Sequence, residues 1–168
     1  MSKDYLDLID TETDGQRFDV TPLFADPNAF SQLLDDLTSQ FEGIEFEAVA
    51  AIDALGFILG AGIAQRVGKG LIPIRKGGKL PVQAHAVGFM DYTGKNKSLE
   101  LRRGAFLPGS RLLLVDEWIE TGAQIKAAVE LIGMMDGKVV GIASINIDNN
   151  DNTQELLDNY KCYTVWKE

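Results

Sequence analysis

Cysteine and histidine are nearly absent, with one of each in 168 residues. Cys162 alone cannot close an intrachain disulfide, and one Cys with one His makes neither a structural zinc site nor an ordinary catalytic triad. His85, in an unpatterned stretch, reads as a structural or surface imidazole rather than a general base. No apolar run is long enough to span a bilayer, and the N-terminal MSKDYLDLID lacks the basic-then-apolar layout of a signal peptide, so a cytoplasmic location is expected. Basic residues are also scarce: 16 against 25 acids give a net charge of −9, which argues against wrapping nucleic acid or lying on an anionic membrane. Repeats, linkers and low-complexity segments are missing too. With 45% hydrophobic residues, the chain is expected to form one domain, residues 1–168, with a core of its own.

The few basic residues are not spread evenly. Between Arg66 and Arg103 stand nine of them (Arg66, Lys69, Arg75, Lys76, Lys79, Lys95, Lys97, Arg102, Arg103) against Asp91 and Glu100, so this stretch carries +7 and the remainder −16. A positive region inside an acidic chain suggests a small anionic ligand held locally. Arg75, Lys76 and Lys79 cluster around two glycines, which favours a loop that meets something negative.

The order of elements points to an α/β fold. Met1 to Gln16 is polar and unpatterned and reads as an irregular lead-in. Asp26 then stands as an N-cap with Pro27 at the first helical position, and Phe30, Leu33, Leu34, Leu37 and Phe41 fall on one face of a helix. Phe46 to Ile52 reads as the first central strand, Asp53-Ala54-Leu55-Gly56 as its exit turn, and Phe57 to Val67 as a small-residue helix. Gly60, Gly62 and Gln65 make a G-x-G-x-x-Q run that is rejected as a dinucleotide fingerprint, because the third glycine is missing and the run lies within a helix. Gly70 to Arg75 is the second strand and Lys76 to Pro81 a mobile glycine-rich turn; Val82 to Ser98 reads as a hinged lid, closed by a short strand at Leu99 to Leu101. Further on, Ile125, Ala128, Val129, Ile132 and Met135 line a helix that ends at Gly137, Lys138 to Ile147 is a strand, Gln154 to Tyr160 a short helix and Cys162 to Trp166 an edge strand. Asp148, Asn150 and Asn152 do not make a calcium loop, since Thr153 replaces the required glycine and Asn159 the final Glu; the run reads as a helix cap and polar loop. Alternating strands and helices imply an open, mostly parallel twisted sheet with helices on both faces and a mobile lid hairpin.

The stretch Arg111 to Met135 carries the chemistry. Leu112 to Val115 form a buried strand that runs into Asp116 and Glu117, and Thr121-Gly122-Ala123 then turns into a helix. The first turn of a helix leaves N–H groups without internal partners, and the macrodipole adds partial positive charge there. Backbone amides from Glu120 through Thr121, Gly122 and Ala123 to Gln124 can therefore wrap a phosphate, while carboxylates at the end of the strand can hold sugar hydroxyls or a hydrated Mg²⁺.

This strand, acid pair and Thr-Gly turn resemble the ribosyl-phosphate-binding signature of the type I phosphoribosyltransferases, and the likeness is to the adenine phosphoribosyltransferase branch. The stretches FDVTPLFADPNAF, AIDALGFILGAGIAQRVGKGLIPIRKGGKLP and MDYTGKNKSLELRRGAF carry it alongside the central motif, from Gln16 to about Ser144. The resemblance implies transfer of a ribosyl 5-phosphate from phosphoribosyl pyrophosphate to a nucleobase. Asp116 and Glu117 would meet the ribose diol, Glu120 to Gln124 the 5′-phosphate, Arg75 and Lys79 the pyrophosphate, Asp91 and Tyr92 would act from the lid, and Phe18 would lie near the base. It also implies Mg²⁺ carried by the substrate and reached by Asp116 through water, and a homodimer. The departures are specific. Leu55 stands where the family has an Arg beside a cis peptide, which would fall at Asp53-Ala54; Gln124 stands for Thr, Glu120 for a small neutral residue, and Arg17-Phe18 reverses the usual Phe-Arg order. Two classes of function remain. The basic turn and the lid residues favour an enzyme; Leu55, Glu120 and Gln124 favour a nucleotide-binding sensor or interaction protein of the same fold.

Overall fold

In the computed structural model, which describes residues 4–15 and 17–166, the first element is a 3-10 turn, Asp4–Leu8, followed by a bridge between Asp10 and Asp19. Helix α1 (Thr21–Ala25) leads into α2 (Pro27–Gln40). Asp26 caps α2 as the sequence suggests: Oδ1 accepts the N–H groups of Asn28 and Ala29 at 2.9 and 2.8 Å, and Pro27 fills a position where no N–H is needed. Strand β1 (Ala48–Ile52) precedes α3 (Leu55–Val67), and β2 (Gly70–Lys76) precedes a hairpin of β3 (Ala84–Met90) and β4 (Asn96–Arg102). The chain continues through β5 (Arg111–Val115), β6 (Trp118–Ile119), α4 (Ala123–Gly133), β7 (Lys138–Ser144), β8 (Asn146–Ile147), α5 (Gln154–Asn159) and β9 (Cys162–Thr164).

Among the described residues, seven strands form one sheet in the order β3-β4-β2-β1-β5-β7-β9. The run from β2 to β9 is parallel throughout, and the hairpin adds two antiparallel strands at one edge. Helical crossovers cover both faces, so the central strands are apolar on both sides and read as continuous runs rather than alternations. Val49, Ala51, Leu113 and Val115 pack with Leu33 and Leu37 of α2 and Leu59 and Ile63 of α3. Ala50, Ile52, Leu112, Leu114 and Ile142 face the other way, against Ile125, Ala128, Leu131 and Ile132 of α4. Each buried Val, Leu or Ile among them contributes roughly 1.5–3 kcal/mol. The rejected G-x-G-x-x-Q run does lie inside α3. No helix among the described residues is long and apolar enough to cross a membrane.

Three expectations change. The lead-in is tied down: Tyr5 and Ile9 are buried in the α2–α3 core, and the Tyr5 hydroxyl donates to Asp36 Oδ2 at 2.7 Å. Two anchors four residues apart are too few to show a periodicity; Met1 to Lys3 and Gln16 lie outside the described residues. The stretch read as a lid ending in a three-residue strand is a regular hairpin of two seven-residue strands, with Met90 opposite Asn96. Its strands are half exposed, which weakens the apolar alternation. The strand read as Lys138 to Ile147 breaks after Ser144, and Asn146–Ile147 pair in parallel with Trp118–Ile119 as a separate ladder. The β5–β7 pair thus resumes as β6–β8 beyond an interruption, and that interruption holds the acid pair.

Candidate active site

Asp116 and Glu117 occupy the gap between β5 and β6, at the carboxyl ends of the central strands, and both are buried. Asp116 Oδ1 accepts the Glu117 N–H and Oδ2 accepts Gln124 Nε2, each at 2.8 Å. Burial pushes the Asp116 carboxyl up to about 7, against the pull of those two donors. Burial first, and the neighbouring Asp116 charge second, push Glu117 up to about 7 as well, with Arg17 pulling it down. The exit turn of β1 lies against this pair. A Cβ on Gly56 would sit 3.1 Å from Asp116 Oδ1 and 3.2 Å from the Val115 carbonyl oxygen, a tight fit that would push the start of α3 away from the acid pair by a few tenths of an ångström. The Asp53-Ala54 peptide is cis.

The turn into α4 is built around Gly122, at φ 72°, where a side chain would be strained and would also meet Leu156. Gly122 is the N-cap and brings no side chain; the Ala123 N–H meets only the Thr121 hydroxyl, at 3.4 Å, and the N–H groups of the first turn have no partners within the helix, which suits an anion. The polar run after β8 supports this turn from behind: Asn150 Nδ2 donates to the Glu120 carbonyl at 2.8 Å, while its Oδ1 accepts the Asn152 N–H at 3.0 Å ahead of α5. Asp148 Oδ1 accepts from Trp118 Nε1 at 3.0 Å and from Asn146 Nδ2 at 2.8 Å. The run is a polar loop, as its sequence suggests, but not the helix cap also read there: α5, whose N-cap position is Thr153, starts without a side-chain cap.

A cavity of about 810 Å³ opens between this turn and the hairpin, and Asp91, Tyr92, Asp116, Glu120, Thr121, Gly122, Ala123 and Gln124 line it. Asp91 Oδ1 accepts the Thr93 N–H, the Thr93 hydroxyl and the Lys95 N–H at 2.9, 2.6 and 3.0 Å, which shapes the hairpin turn. The Thr93 hydroxyl, the Lys95 amide and the Thr93 amide hold the Asp91 carboxyl below its ordinary range. Asp53, Ala54, Leu55, Phe18, Arg75, Lys79 and Glu117 lie outside the cavity lining. Arg75 Nε pairs with Asp53 Oδ2 at 3.2 Å, and Glu100 accepts the N–H groups of Gly78, Lys79 and Leu80 at 2.7, 3.2 and 3.1 Å. Leu55, 42% exposed, is on the surface of the same turn. The Phe18 ring meets Trp118, itself a lining residue, edge-on at 5.5 Å.

Arg17, which sequence reading did not place in the site, is in it, and so are three lysines that it read only as part of a positive region. Arg17 lines the cavity, donates from Nε to Glu120 Oε1 at 2.5 Å, and lays its guanidinium 4.5 Å from the centre of the Tyr92 ring. Burial works against the Arg17 charge, but Glu120 outweighs it and holds the guanidinium above its ordinary value. Lys76, Lys95 and Lys97 also line the cavity, on the hairpin side. The charge count of this stretch was the signal for the lysines. For Arg17 the signal was the reversed Arg-Phe order, which showed a change without showing its partner.

Comparison with known proteins bears on the same geometry. The family model described as a phosphoribosyl transferase domain matches residues 27–168. An adenine phosphoribosyltransferase of Desulforamulus reducens is 40% identical over 147 residues, covering 88% of this chain and 85% of that protein. One from Halothermothrix orenii is 34% identical over 150 residues, covering 89% and 88%. The crystal structure of adenine phosphoribosyltransferase from Thermoanaerobacter pseudethanolicus superposes with a TM-score of 0.88 at 30% identity, over 96% of each chain. With its acid pair, its uncapped Thr-Gly helix start and this agreement along nearly its whole length, the chain belongs to the phosphoribosyltransferase family, among the adenine phosphoribosyltransferases.

Proposed function

We propose that the protein transfers the 5-phosphoribosyl group of phosphoribosyl pyrophosphate to adenine, forming adenosine monophosphate and releasing pyrophosphate. The observation that carries this reading is that one cavity holds both the uncapped start of α4 and the buried Asp116, which matches a phosphate joined to a ribose. The family relatives named as adenine phosphoribosyltransferases supply the base.

In this reading the amides of Glu120 to Gln124 hold the 5′-phosphate, and Asp116 and Glu117 accept hydrogen bonds from the ribose hydroxyls. As the bond from the anomeric carbon to the pyrophosphate oxygen breaks, a base nitrogen forms the new bond to that carbon and passes its proton to water or to the departing pyrophosphate. The carboxylates lie on the ribose side, where positive charge develops, so positioning and electrostatics do the work without a covalent nucleophile. Tyr92 and Asp91 close over the reaction from the hairpin. Phe18, through its contact with Trp118, borders the base, and Arg75 and Lys79, beside the Asp53-Ala54-Leu55 turn, receive the leaving group. Among the described residues no group of three or more His, Cys, Asp or Glu could hold a metal ion. In this reading a Mg²⁺ carried on the substrate's phosphates would be reached by Asp116 through water. When bound, that ion supplies charge neutralisation of the pyrophosphate. A homodimer and a cytoplasmic location go with this reading; sedimentation showing only an 18.4 kDa species at micromolar concentration would count against the dimer.

The test is a panel of radiolabelled bases with phosphoribosyl pyrophosphate and Mg²⁺. Adenine is expected to be converted, and hypoxanthine and guanine left unchanged. Tight binding of adenosine monophosphate with no base converted would support the sensor reading instead.

A further inference from the structure

Gln124 stands at the second position of α4, within the turn that faces the phosphate, but its side chain does not serve that turn. It reaches back eight residues and donates from Nε2 to Asp116 Oδ2 at 2.8 Å. The other carboxylate oxygen already accepts the Glu117 N–H at 2.8 Å. With one donor on each oxygen, the carboxylate cannot turn about its last bond without losing both, and each oxygen keeps a further lone pair. Asp116 and Gln124 both line the cavity, so what the pinned carboxylate still offers is offered to a ligand there.

We infer that Gln124 is a positioning residue for the ribose: its side chain locks Asp116 in the orientation that receives a sugar hydroxyl, and it serves the phosphate only through its backbone. The inference rests on the nucleotide reading above. Gln124 thereby gives its side chain to the ribose half of the site while its backbone stays with the phosphate half. A charge-assisted donor to a buried carboxylate has more to give than one exposed to solvent, because little water competes for it.

The experiment compares adenosine monophosphate with its 2′,3′-dideoxy analogue by calorimetric titration into the wild type, Gln124→Met, Gln124→Thr, Asp116→Asn and the Asp116→Asn/Gln124→Met double variant. Met keeps the length of Gln without its donor, and Thr cannot span the distance. Both are expected to weaken the ribonucleotide by about tenfold, the worth of one charge-assisted bond, and to leave the dideoxy ligand within about twofold. In the Asp116→Asn background, Gln124→Met is expected to add almost nothing, since the two residues act as one unit. Equal losses for both ligands would overturn the inference and leave the nucleotide reading standing, because a side chain that merely stitches the loop would not distinguish them. Failure of the wild type to bind either ligand would overturn the nucleotide reading itself. A measurement without ligand separates the cases further: the Gln124 side-chain amide signal in a ¹H–¹⁵N spectrum is expected to move on Asp116→Asn, and an unmoved signal would remove the bond on which the inference stands.

Discussion

The two halves of the proposed substrate site, one in the cavity lining and one outside it, are built from different materials. At one end, the α4 turn is made of backbone, and its altered side chains have found new partners: Glu120 with Arg17, and Gln124 with Asp116. At the other end, the turn from Asp53 to Gly56 and the strand beside it must work through side chains. There Leu55 carries no charge and Arg75 is paired with Asp53. A grip made of amides survives substitution, because every residue but proline brings the same N–H donor. A grip made of guanidinium and ammonium groups loses strength with each one replaced. The contrast leads to a nucleoside monophosphate that binds relatively well and a phosphoribosyl pyrophosphate that binds relatively poorly.

The largest effect should come from the ribose, which both ligands share. Asp116→Asn with Glu117→Gln removes two charge-assisted acceptors and should weaken adenosine monophosphate by more than tenfold, and by roughly a hundredfold if the two act independently. The same variant should be more stable than the wild type above neutral pH. Both carboxyls are pushed up to about 7 in the folded protein, chiefly by burial, whereas the unfolded chain releases these protons near 4. As pH rises from about 4 to above 7, the folded state must give up protons it holds more tightly than the unfolded state does, so wild-type stability falls across that window. Thermal melts of the Mg²⁺-free proteins at pH 4 and pH 8 should give matching midpoints at the lower pH and a higher midpoint for the variant at the higher. Unchanged nucleotide affinity in the double variant would remove the acid pair from the site.

Next in size is Leu55→Arg, which sharpens the contrast between the ends. Leu55 is exposed on a turn that comes within contact of Asp116, so an Arg there can reach a group bound beside the ribose without disturbing the core. One restored charge-assisted contact should tighten phosphoribosyl pyrophosphate about tenfold and leave the monophosphate within about twofold. Calorimetry of both ligands with Mg²⁺ decides it. An equal effect on the two would mean that position 55 does not face the pyrophosphate, and no effect on either would mean that Lys76 at the end of β2 and Lys95 and Lys97 on the hairpin already supply the charge.

What could be read from the chain follows the range of the forces involved. Local signals were clear: the Asp26 cap with Pro27, the apolar strand before Asp116, and the Thr-Gly turn each depend on neighbours a few residues away. The placement of the G-x-G-x-x-Q run inside α3 came from the same local chemistry. Pairings between distant segments could not be read. Arg17 and Glu120 are 103 residues apart and registered only as two separate departures, although each accounts for the other. The hairpin was legible as a long, weakly periodic lid but not as two full strands, because a half-exposed edge strand has only a faint apolar alternation. The break after Ser144 was hidden for the opposite reason: the chain stays apolar through Ile145 and Ile147 on both sides of it.

The smallest expected effect tests whether the phosphate end is as tolerant as its backbone construction implies. Glu120 places a carboxylate beside the turn that would hold a phosphate, and unopposed it would repel that phosphate. Arg17 opposes it directly, through the contact at 2.5 Å, and also touches the Tyr92 ring of the hairpin. Because the Arg17 side chain is 53% exposed, solvent screens the pair and its own contribution to stability is small, of order 1 kcal/mol or less. Its effect on binding should be correspondingly modest. Arg17→Met should weaken the monophosphate and phosphoribosyl pyrophosphate alike by about two- to fivefold, since it uncovers a negative charge that both must approach. Glu120→Ala alone should leave binding unchanged or slightly tighter, because the amides stay and a negative charge goes. The double variant should then recover at least the wild-type affinity for the monophosphate, with a non-additive term that identifies Glu120 as the source of the Arg17 effect. Raising the ionic strength should shrink the Arg17→Met loss, as screening of an exposed charge requires. A loss in Arg17→Met that persists in the double variant and in high salt would show that Arg17 binds the ligand itself, and would move one side chain of the phosphate end into the class that cannot be replaced.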